Sequence, residues 1–363
     1  MIKIGILLEN FIYLFFKLFP TRNKILFLSR QSNIITLDYK KIIKELDNKY
    51  KIKVICRKLD FNIIGILKTT FGLFQQMYHL ATSKIVITDG YSISVSTLKH
   101  KKKLTIIQMW HAEVVVKKIG LQTLPYISKK RKKLCKAMKM HENYDYAIAS
   151  SKKMGQVFSE AFNTDNIKIL GTPTLDYIYN KEYKDKKEKI IKKYDLDKKK
   201  NILYMPTYRK DSYIDLTDII NNFDFNNYNL ILKLHPVQKY TTIDDRVVNI
   251  TKLKSEELLS IADYIISDYS NVAFQAALAR IPTYFYVYDI KHYKKIIGFN
   301  IDLVKEFPKY TSEDINVILN NIYKEKYDYS YLDALTKDYI ECYDGKATKR
   351  IVEFIKELMR MIK

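Results

Sequence analysis

Four apolar segments of this sequence end in polar residues that suit acid–base or phosphate chemistry. His111 follows the segment 103–110, and His235 follows the segment 229–234. A histidine side chain titrates near neutrality, so it can take a proton from a hydroxyl or donate one to a phosphate oxygen. The remaining candidates follow the segments 201–205 and 263–267, and they are Thr207, Arg209, Asp268, Ser270 and Asn271. These residue types together predict chemistry at a phosphate group.

The two histidines have different predicted roles. His111 is the candidate general base, and the alternative is a core histidine packed beside Trp110, the only tryptophan of the chain. His235 precedes Pro236, which holds its backbone extended and so presents its ring at a fixed place. We expect His235 to donate to a phosphate, and the alternative is a structural histidine at a strand end.

The other two segments predict an anion site. Arg209 offers a bidentate fork to phosphate oxygens, and Thr207 can serve the same anion. The alternative for Arg209 is a structural pair with a carboxylate. Ser270 and Asn271 precede the apolar helical segment 272–279. They are good N-cap residues, and the N–H groups and dipole of that helix end also favour a phosphate.

Parallel strands are expected to position these residues. Most of the candidate strands are apolar throughout, as strands buried on both faces are. They are 24–30, 51–57, 84–89, 103–110, 146–150, 201–207, 229–235, 263–268 and 283–288. The patterned helices between and after them are 37–49, 62–82, 151–162, 271–280 and 346–362. This alternation predicts an α/β fold of parallel sheets with helical crossovers.

The most polar stretch of the chain, 180–200, separates the two series of strands. We therefore predict two Rossmann-like parallel-sheet domains, 1–180 and 181–345, followed by a terminal helix at 346–363. Ligands of open α/β sheets bind beyond the carboxyl ends of the strands. The two domains are accordingly expected to face a central cleft that holds the active site.

Several classes of protein are disfavoured by the sequence. The three cysteines are scattered and odd in number, which rules out a disulfide scaffold and favours a reducing compartment. Neither a P-loop nor a G-x-G-x-x-G pattern is present, so P-loop kinases and dinucleotide enzymes are disfavoured. No metal site and no cofactor are predicted, because Asp195 and Asp197 lie in the polar stretch rather than at a strand end.

The chain is strongly basic, with 63 Lys and Arg against 40 acidic residues and a formal net charge of +23. Such a surface attracts polyanions, but no recognisable module supports a nucleic-acid-binding protein. Residues 2–19 are apolar yet interrupted and short for a membrane span. They predict either an interfacial helix or a helix packed on its own domain. Basic clusters at 99–103 and 129–139 suggest an anionic membrane surface, and solvated helix faces are the alternative.

Motifs spread over most of the chain carry a resemblance. They are QMWHA with KKIG (108–120), IASS (148–151), G-x-P-x-x-D (171–176), ILYMPTYR (202–209), LKLHP (232–236), ISDYSN (266–271) and DGKATKR (344–350). In this order they resemble the CDP-glycerol glycerophosphotransferase family of teichoic-acid and capsule biosynthesis. The bulky acidic run 112–116, Thr174 and Asn271 depart from the usual pattern of that family. These departures affect the acceptor and the alditol more than the class of reaction.

The resemblance implies a GT-B fold, with an acceptor-binding, membrane-associated domain at 1–180 and a CDP-alditol-binding domain at 181–345. It also implies a terminal helix that returns to the first domain, and peripheral attachment to the cytoplasmic face of the cell membrane. His111 corresponds to the base of the family and His235 to its second functional histidine. Arg209, Asp268, Ser270 and Asn271 match the donor-phosphate region. Trp110, Lys117 and Lys118 are expected on the acceptor side.

The predicted reaction transfers glycerol phosphate, or a related alditol phosphate such as ribitol phosphate, from a CDP-alditol to a hydroxyl of a lipid-linked saccharide or poly(alditol phosphate). CMP is released, and no metal is required by this account. The alternative enzyme is a GT-B glycosyltransferase that uses a nucleotide sugar. The sequence leaves open glycerol against ribitol, the acceptor, priming against polymerisation, and the oligomeric state.

Overall fold

The computed structural model of the protein describes residues 2–58, 63–177, 181–209, 213–235, 237–241 and 244–362, with the backbone alone for 63–71 and 181–185. The chain divides into two compact units. Unit 1 comprises Met1–Glu113, Lys118–Asp176 and Asp344–Lys363, and unit 2 comprises Val114–Lys117 and Tyr177–Tyr343. The sequence places its boundaries nearby, after residues 180 and 345, but it does not predict that residues 114–117 belong to unit 2.

The strands are β1 (Lys24–Ser29), β2 (Lys51–Cys56), β3 (Ile85–Thr88), β4 (Thr105–Gln108), β5 (Tyr146–Ala149), β6 (Ile167–Ile169), β7 (Lys200–Met205), β8 (Tyr228–Leu232), β9 (Val248–Asn249), β10 (Tyr264–Ser267), β11 (Thr283–Tyr286) and β12 (Thr311–Ser312). The helices of the first half are α1 (Ile2–Phe16), α2 (Leu37–Glu45), α3 (Ile63–Thr82), α4 (Ile93–Thr97), α5 (Lys129–Ala137), α6 (Lys152–Phe162), α7 (Pro173–Tyr177) and α8 (Lys181–Tyr194). Those that follow are α9 (Thr217–Asn221), α10 (Ser255–Leu258), α11 (Val272–Leu278), α12 (Ile290–Ile296), α13 (Leu303–Glu306), α14 (Ile315–Tyr323), α15 (Ser330–Tyr339) and α16 (Ala347–Met361). Short 3₁₀ helices occur at Gly120–Tyr126, Leu259–Ile261 and Pro308–Tyr310.

Unit 1 is built on a parallel sheet whose described strands run in the order β2-β1-β3-β4-β5-β6. β1 and β3 are buried along their whole length, as their apolar sequences predict for central strands. The strand order reverses between β1 and β3, and ligands of open α/β sheets bind outside the carboxyl ends of the strands at such a switch point.

The terminal helix α16 packs on unit 1. Ile351 and Ile355 of α16 share one buried cluster with Tyr39 and Ile42 of α2 and with Phe27 of β1. The helix has one strongly apolar face, which explains why it covers the sheet rather than extending into solvent.

Unit 2 is built on a second parallel sheet, whose described strands run in the order β12-β11-β10-β7-β8-β9. Numbered from β7 within the unit, this is the 3-2-1-4-5-6 arrangement of nucleotide-binding α/β folds. Its order reverses between β7 and β10, so the residues that follow these two strands lie at the switch point. The predicted α/β fold with two parallel sheets is confirmed.

Candidate active site

His111 lies just beyond the carboxyl end of β4 in unit 1, and its ring is exposed to solvent. Its Nδ1 lies 2.9 Å from the backbone carbonyl of Asp89, which can only accept a hydrogen bond. We therefore assign the hydrogen to Nδ1, and this leaves the lone pair of Nε2 available. Partial desolvation by the surrounding protein lowers the pKa of His111, although the hydrogen bond to the Asp89 carbonyl acts in the opposite direction. A neutral ring with an open Nε2 is the form that a general base needs.

The sequence left open that His111 is a core histidine packed beside Trp110. In the structure, the core histidine near Trp110 is His141. This residue is 2% exposed, and its ring centroid lies 6.3 Å from that of Trp110. Burial lowers the pKa of His141 to about 4, so it stays uncharged. Trp110 packs between His111 (4.3 Å between centroids) and Phe162 (5.2 Å), which fixes one face of the His111 ring.

Glu113, two residues after His111, holds this loop in place. Its carboxylate accepts a hydrogen bond from Thr172 Oγ1 at 3.0 Å, and its backbone carbonyl accepts one from Ser150 Oγ at 2.6 Å. Ser150 and Thr172 lie in the IASS and G-x-P-x-x-D motifs. These two motifs therefore position the loop that carries His111. Glu113 was not among the predicted site residues, and its only signal was an acidic side chain in an apolar run.

In unit 2, the residues that follow β7 and β10 form one buried hydrogen-bonded network. Asp268 accepts hydrogen bonds from the backbone N–H of Thr207 at 2.9 Å and from its hydroxyl at 2.5 Å. Arg209 Nη1 donates to Asp268 at 2.7 Å and to the Thr207 carbonyl at 2.5 Å. Arg209 also donates from Nε and Nη2 to Asp289, at 2.9 and 3.0 Å. The network connects the end of β7 to the end of β10 at the switch point of the sheet.

The sequence left two roles open for Arg209: a phosphate ligand, or a structural pair with a carboxylate. The structure favours the structural pair. Its side chain is 3% exposed and four of its five N–H groups donate to Thr207, Asp268 and Asp289. Burial alone would lower the pKa of Arg209, but Asp268 and Asp289 hold it above its usual value. Asp289 was missed by sequence reasoning, because it lies 80 residues away from Arg209 in the chain.

Ser270 and Asn271 do not cap α11 as their sequence position predicts. Asn271 Oδ1 accepts a hydrogen bond from the backbone N–H of Val114 at 2.9 Å, and its side chain makes no capping bond to the helix. Ser270 Oγ is at the limit of hydrogen-bond distance, 3.5 Å, from the N–H of Val272. Because α11 has only seven residues, its dipole supplies little of the expected anion binding.

His235 lies beyond β8, is exposed to solvent and packs its ring on that of Tyr208, with 4.7 Å between centroids. The backbone N–H of Val237 points to its Nδ1 at 3.4 Å. The neutral ring therefore carries its hydrogen on Nε2, which makes this atom a donor. His111 and His235 thus have opposite tautomers. The predicted contribution of Pro236 lies outside the described residues.

The two lysines of the KKIG motif belong to different units. Lys118 lies in unit 1, with its Nζ 5.6 Å from the ring centroid of Tyr126. Lys117 lies in unit 2, where its backbone pairs with Phe299 and its Nζ is 5.9 Å from the ring centroid of Tyr293. Burial lowers the pKa of Lys117 to about 8. Lys117 was expected on the acceptor side, but in the structure it lies near Arg209, Asp268 and Asp289 of unit 2.

Asp176 of the G-x-P-x-x-D motif is a structural residue. Its carboxylate accepts hydrogen bonds from the backbone N–H groups of Ala347 and Thr348, at 2.9 and 2.7 Å, and from the Thr348 hydroxyl at 2.6 Å. It caps the start of α16 in place of a local N-cap. The motifs G-x-P-x-x-D and DGKATKR therefore meet in one contact that attaches the terminal helix to unit 1.

No group of three or more His, Cys, Asp or Glu side chains in the described ranges is arranged to hold a metal ion. The helices of the same ranges include none with both the length and the apolar character of a membrane span.

Two parallel α/β sheets with polar side chains beyond their strand ends define a GT-B type of fold. Solved structures have the same fold. The wall teichoic acid polymerase TagF aligns with a TM-score of 0.70 at 18% identity, over 97% of this chain and 94% of that one. The UDP-GlcNAc 2-epimerase of Neisseria meningitidis aligns with a TM-score of 0.57 at 13% identity, over 92% and 100% of the two chains.

The chain belongs to the CDP-glycerol:poly(glycerophosphate) glycerophosphotransferase family, which matches residues 11–357. It is 29% identical to the teichoic acid ribitol-phosphate primase of Bacillus spizizenii, over 93% of this chain and 92% of the relative. It is 28% identical to the teichoic acid glycerol-phosphate primase of Bacillus subtilis, over 80% and 78% of the two chains. The predicted family and its transferase class are confirmed.

Proposed function

We propose that this enzyme transfers glycerol phosphate or ribitol phosphate from the CDP-alditol to a hydroxyl of a teichoic-acid or capsule acceptor and releases CMP. The observation that carries the proposal is the His111 ring, exposed and held in the tautomer of a base, in a chain that matches the family over residues 11–357. Relatives named as glycerol-phosphate and ribitol-phosphate primases support both donors.

In the proposed mechanism, Nε2 of His111 takes the proton of the acceptor hydroxyl. The acceptor oxygen attacks the distal phosphorus of the CDP-alditol, and the bond from that phosphorus to the bridging oxygen breaks. The alditol phosphate is now joined to the acceptor, CMP leaves with the bridging oxygen, and the proton passes from His111 to solvent. Because phosphoryl transfer depends mainly on positioning and electrostatics, Nε2–H of His235 is assigned to the phosphate oxygens.

The CDP-alditol is assigned to unit 2, whose strand order is that of nucleotide-binding folds. Thr207, Arg209 and Asp268 act by fixing the two strand ends, and Ser270 lies beside them as a candidate phosphate contact. Asn271 fixes the segment 114–117 through Val114. Trp110 and Lys118 keep their assignment to the acceptor in unit 1.

The acceptor is proposed to be lipid-linked and the enzyme to bind the cytoplasmic face of the membrane. Asn10 of α1 donates to the Thr97 carbonyl, and Lys17, directly after the helix, donates to the Lys99 carbonyl, so these contacts hold α1 against the rest of unit 1. Tyr13 is buried, but most of the apolar side chains of α1 point outward, and Leu7 and Phe11 are 70% and 72% exposed. An exposed apolar stripe beside basic groups is typical of an interfacial helix.

Basic side chains lie next to this stripe. A groove of about 760 Å³ between α1 and α5 has Ile6 and Leu7 in its apolar wall, and its cations are Lys3, Lys99, Lys133, Lys136 and Lys139. In α5, no residue is buried, so its lysines stay in water. Each such lysine close to an anionic leaflet contributes about 1 kcal/mol to membrane binding.

The reaction is tested with purified enzyme, a lipid-linked acceptor and a panel of donors by measuring the nucleotide released, which is CMP from a CDP-alditol and UDP or GDP from a nucleotide sugar. We expect turnover of CDP-glycerol or CDP-ribitol, and a loss of roughly 10²–10⁴-fold in His111→Ala. His292→Ala, an exposed histidine of α12, is the matched control. Turnover of a UDP- or GDP-sugar in place of the CDP-alditols would establish the alternative GT-B glycosyltransferase.

Membrane binding is tested by flotation with phosphatidylglycerol vesicles. Leu7→Glu with Phe11→Glu is expected to weaken flotation, because both side chains face outward and neither is needed for the core. Val317→Glu, at a 48% exposed position of α14 in unit 2, is the control. Unchanged flotation of the α1 variant refutes the membrane assignment without affecting the assignment of the reaction.

A further inference from the structure

The charges at the switch point of unit 2 do not balance. Asp268 and Asp289 both pair with the single guanidinium of Arg209, and the three side chains are 2%, 17% and 3% exposed. Two carboxylates and one guanidinium leave one negative charge. A diphosphate placed beside this network is repelled unless another cation compensates it, and repulsion in a partly dry site is weakly screened.

Lys117 is the cation that stands beside the network. Its electrostatic neighbours are Asp268, Arg209 and Asp289, which follow β10, β7 and β11. Among the described residues its ammonium makes no hydrogen bond or ion pair, and its ring contact is with Tyr293 of α12. Arg209 lies over the same ring, with its Cζ 4.7 Å from the centroid.

The backbone holds Lys117 in unit 2 independently of its side chain. The Asn300 backbone N–H donates to the Val116 carbonyl at 2.7 Å, and the Asn300 side-chain amide donates to the Lys117 carbonyl at 3.0 Å. Val114 is held in turn by Asn271. A half-buried ammonium fixed in this way, without an acceptor of its own, is suited to an anionic ligand.

We propose that Lys117 binds the diphosphate of the CDP-alditol, in the role that the sequence gave to Arg209. The inference rests on the proposed function, because it names the cation of that same donor site. Arg209 then acts as a positioning residue that orders the two carboxylates, and Lys117 supplies the charge that lets the diphosphate approach them.

Calorimetric titration of the full chain with CDP-glycerol and with cytidine tests this assignment. Lys117→Gln is expected to weaken CDP-glycerol binding roughly ten- to hundredfold, since one charge-assisted contact is lost. Cytidine binding is expected to be unchanged, because the nucleoside has no phosphate. Lys324→Gln, which changes an exposed lysine at the end of α14 in unit 2, is the matched control and is expected to bind both ligands normally.

A pH series gives a second readout that a structural role would not produce. The charged and titratable groups that face Lys117 are Arg209, Asp268, Asp289 and Tyr293, and burial raises the pKa of Tyr293 to about 12. Burial lowers the pKa of Lys117 to about 8, so its ammonium is lost above that pH. CDP-glycerol binding by the wild type should therefore weaken above pH 8, and Lys117→Arg should bind across the whole series.

The outcomes separate this inference from the proposed function. If the wild type binds neither CDP-glycerol nor CDP-ribitol, the proposed function fails. If the wild type binds CDP-glycerol and Lys117→Gln binds it equally well, the assignment of Lys117 is overturned. It is also overturned if Lys117→Gln loses cytidine binding to the same extent, or if Lys117→Arg keeps the alkaline weakening of the wild type.

Discussion

Arg209 donates from Nη1 to Oδ2 of Asp268 at 2.7 Å, and the two side chains are 3% and 2% exposed. A buried ion pair that loses one partner leaves an unpaired charge, at a cost of about 3–5 kcal/mol. We therefore predict that Arg209→Ala lowers the free energy of unfolding by that amount, measured by urea denaturation. Arg209→Lys keeps the positive charge but loses the bidentate geometry of the guanidinium. Its free energy of unfolding should therefore lie between those of the wild type and Arg209→Ala.

An exposed arginine pair provides the control for this prediction. Arg246 and Asp244 pair at 2.7 Å, but the Arg246 side chain is 60% exposed. Water and salt screen an exposed pair, so it contributes little to stability, and Arg246→Ala should be close to the wild type. A normal unfolding free energy for Arg209→Ala, with donor binding alone impaired, would return Arg209 to the role of a phosphate ligand.

The pH dependence of turnover follows from the state of His111. Loss of bulk water lowers its pKa below the usual 6.5, against the opposite effect of the Asp89 carbonyl. A base works only when unprotonated, so the acid limb of kcat/KM should have its midpoint below pH 6.5. The measurement is CMP release between pH 4.5 and 8 at subsaturating donor. A midpoint at or above pH 7 contradicts this environment of His111.

Apolar runs predicted the central strands of both sheets because full burial demands continuous apolar sequence. β6, β9 and β12 were missed, since they have three, two and two residues and include polar side chains such as Lys168 and Asn249. The strand-end rule predicted that the candidate residues lie at one edge of each sheet, because parallel strands deliver their carboxyl ends to the same edge.

Sequence reasoning did not find how these side chains use their hydrogen bonds. Asp289 and Arg209 are 80 residues apart, so no local pattern links them. Lys117 and Lys118 are adjacent, yet the chain passes from one unit to the other between them. The pairing of Asp176 with Thr348 spans 172 residues and was likewise invisible, although both lie in motifs that the sequence had singled out.

That pairing predicts a stability effect far from the chemistry. Asp176→Ala removes three acceptor contacts from the start of α16, and hydrogen bonds to a charged group contribute about 1.5–3 kcal/mol each. We expect the free energy of unfolding to fall by at least about 1.5 kcal/mol. Asp197→Ala, which changes an exposed aspartate after α8, is the control. Equal unfolding midpoints for the two variants would show that the cap does not hold the terminal helix.

The carboxylate of Asp176 stabilises the fold, whereas the buried carboxylate of Asp89 should destabilise it. Asp89 is 3% exposed, and neither of its oxygens has a hydrogen-bond partner in the part of the chain that the structure describes. Burial raises its pKa from 3.8 to about 6, against the smaller opposing effects of Ser29 and the Arg30 backbone. The folded state therefore favours the protonated form, so stability falls as the pH rises from about 3.8 to about 6, and the loss is complete above pH 6.

Asp89→Asn should consequently be more stable than the wild type at pH 7.5, by on the order of 1–3 kcal/mol. The difference should shrink as the pH falls below 6 and become small near pH 4, because the carboxyl is then protonated in the folded state and about half protonated in the unfolded chain. Urea unfolding of both proteins at pH 4, 5.5 and 7.5 measures it, with Asp195→Asn as the exposed control. A variant less stable than the wild type at pH 7.5 means that the Asp89 carboxylate has a stabilising partner in solution.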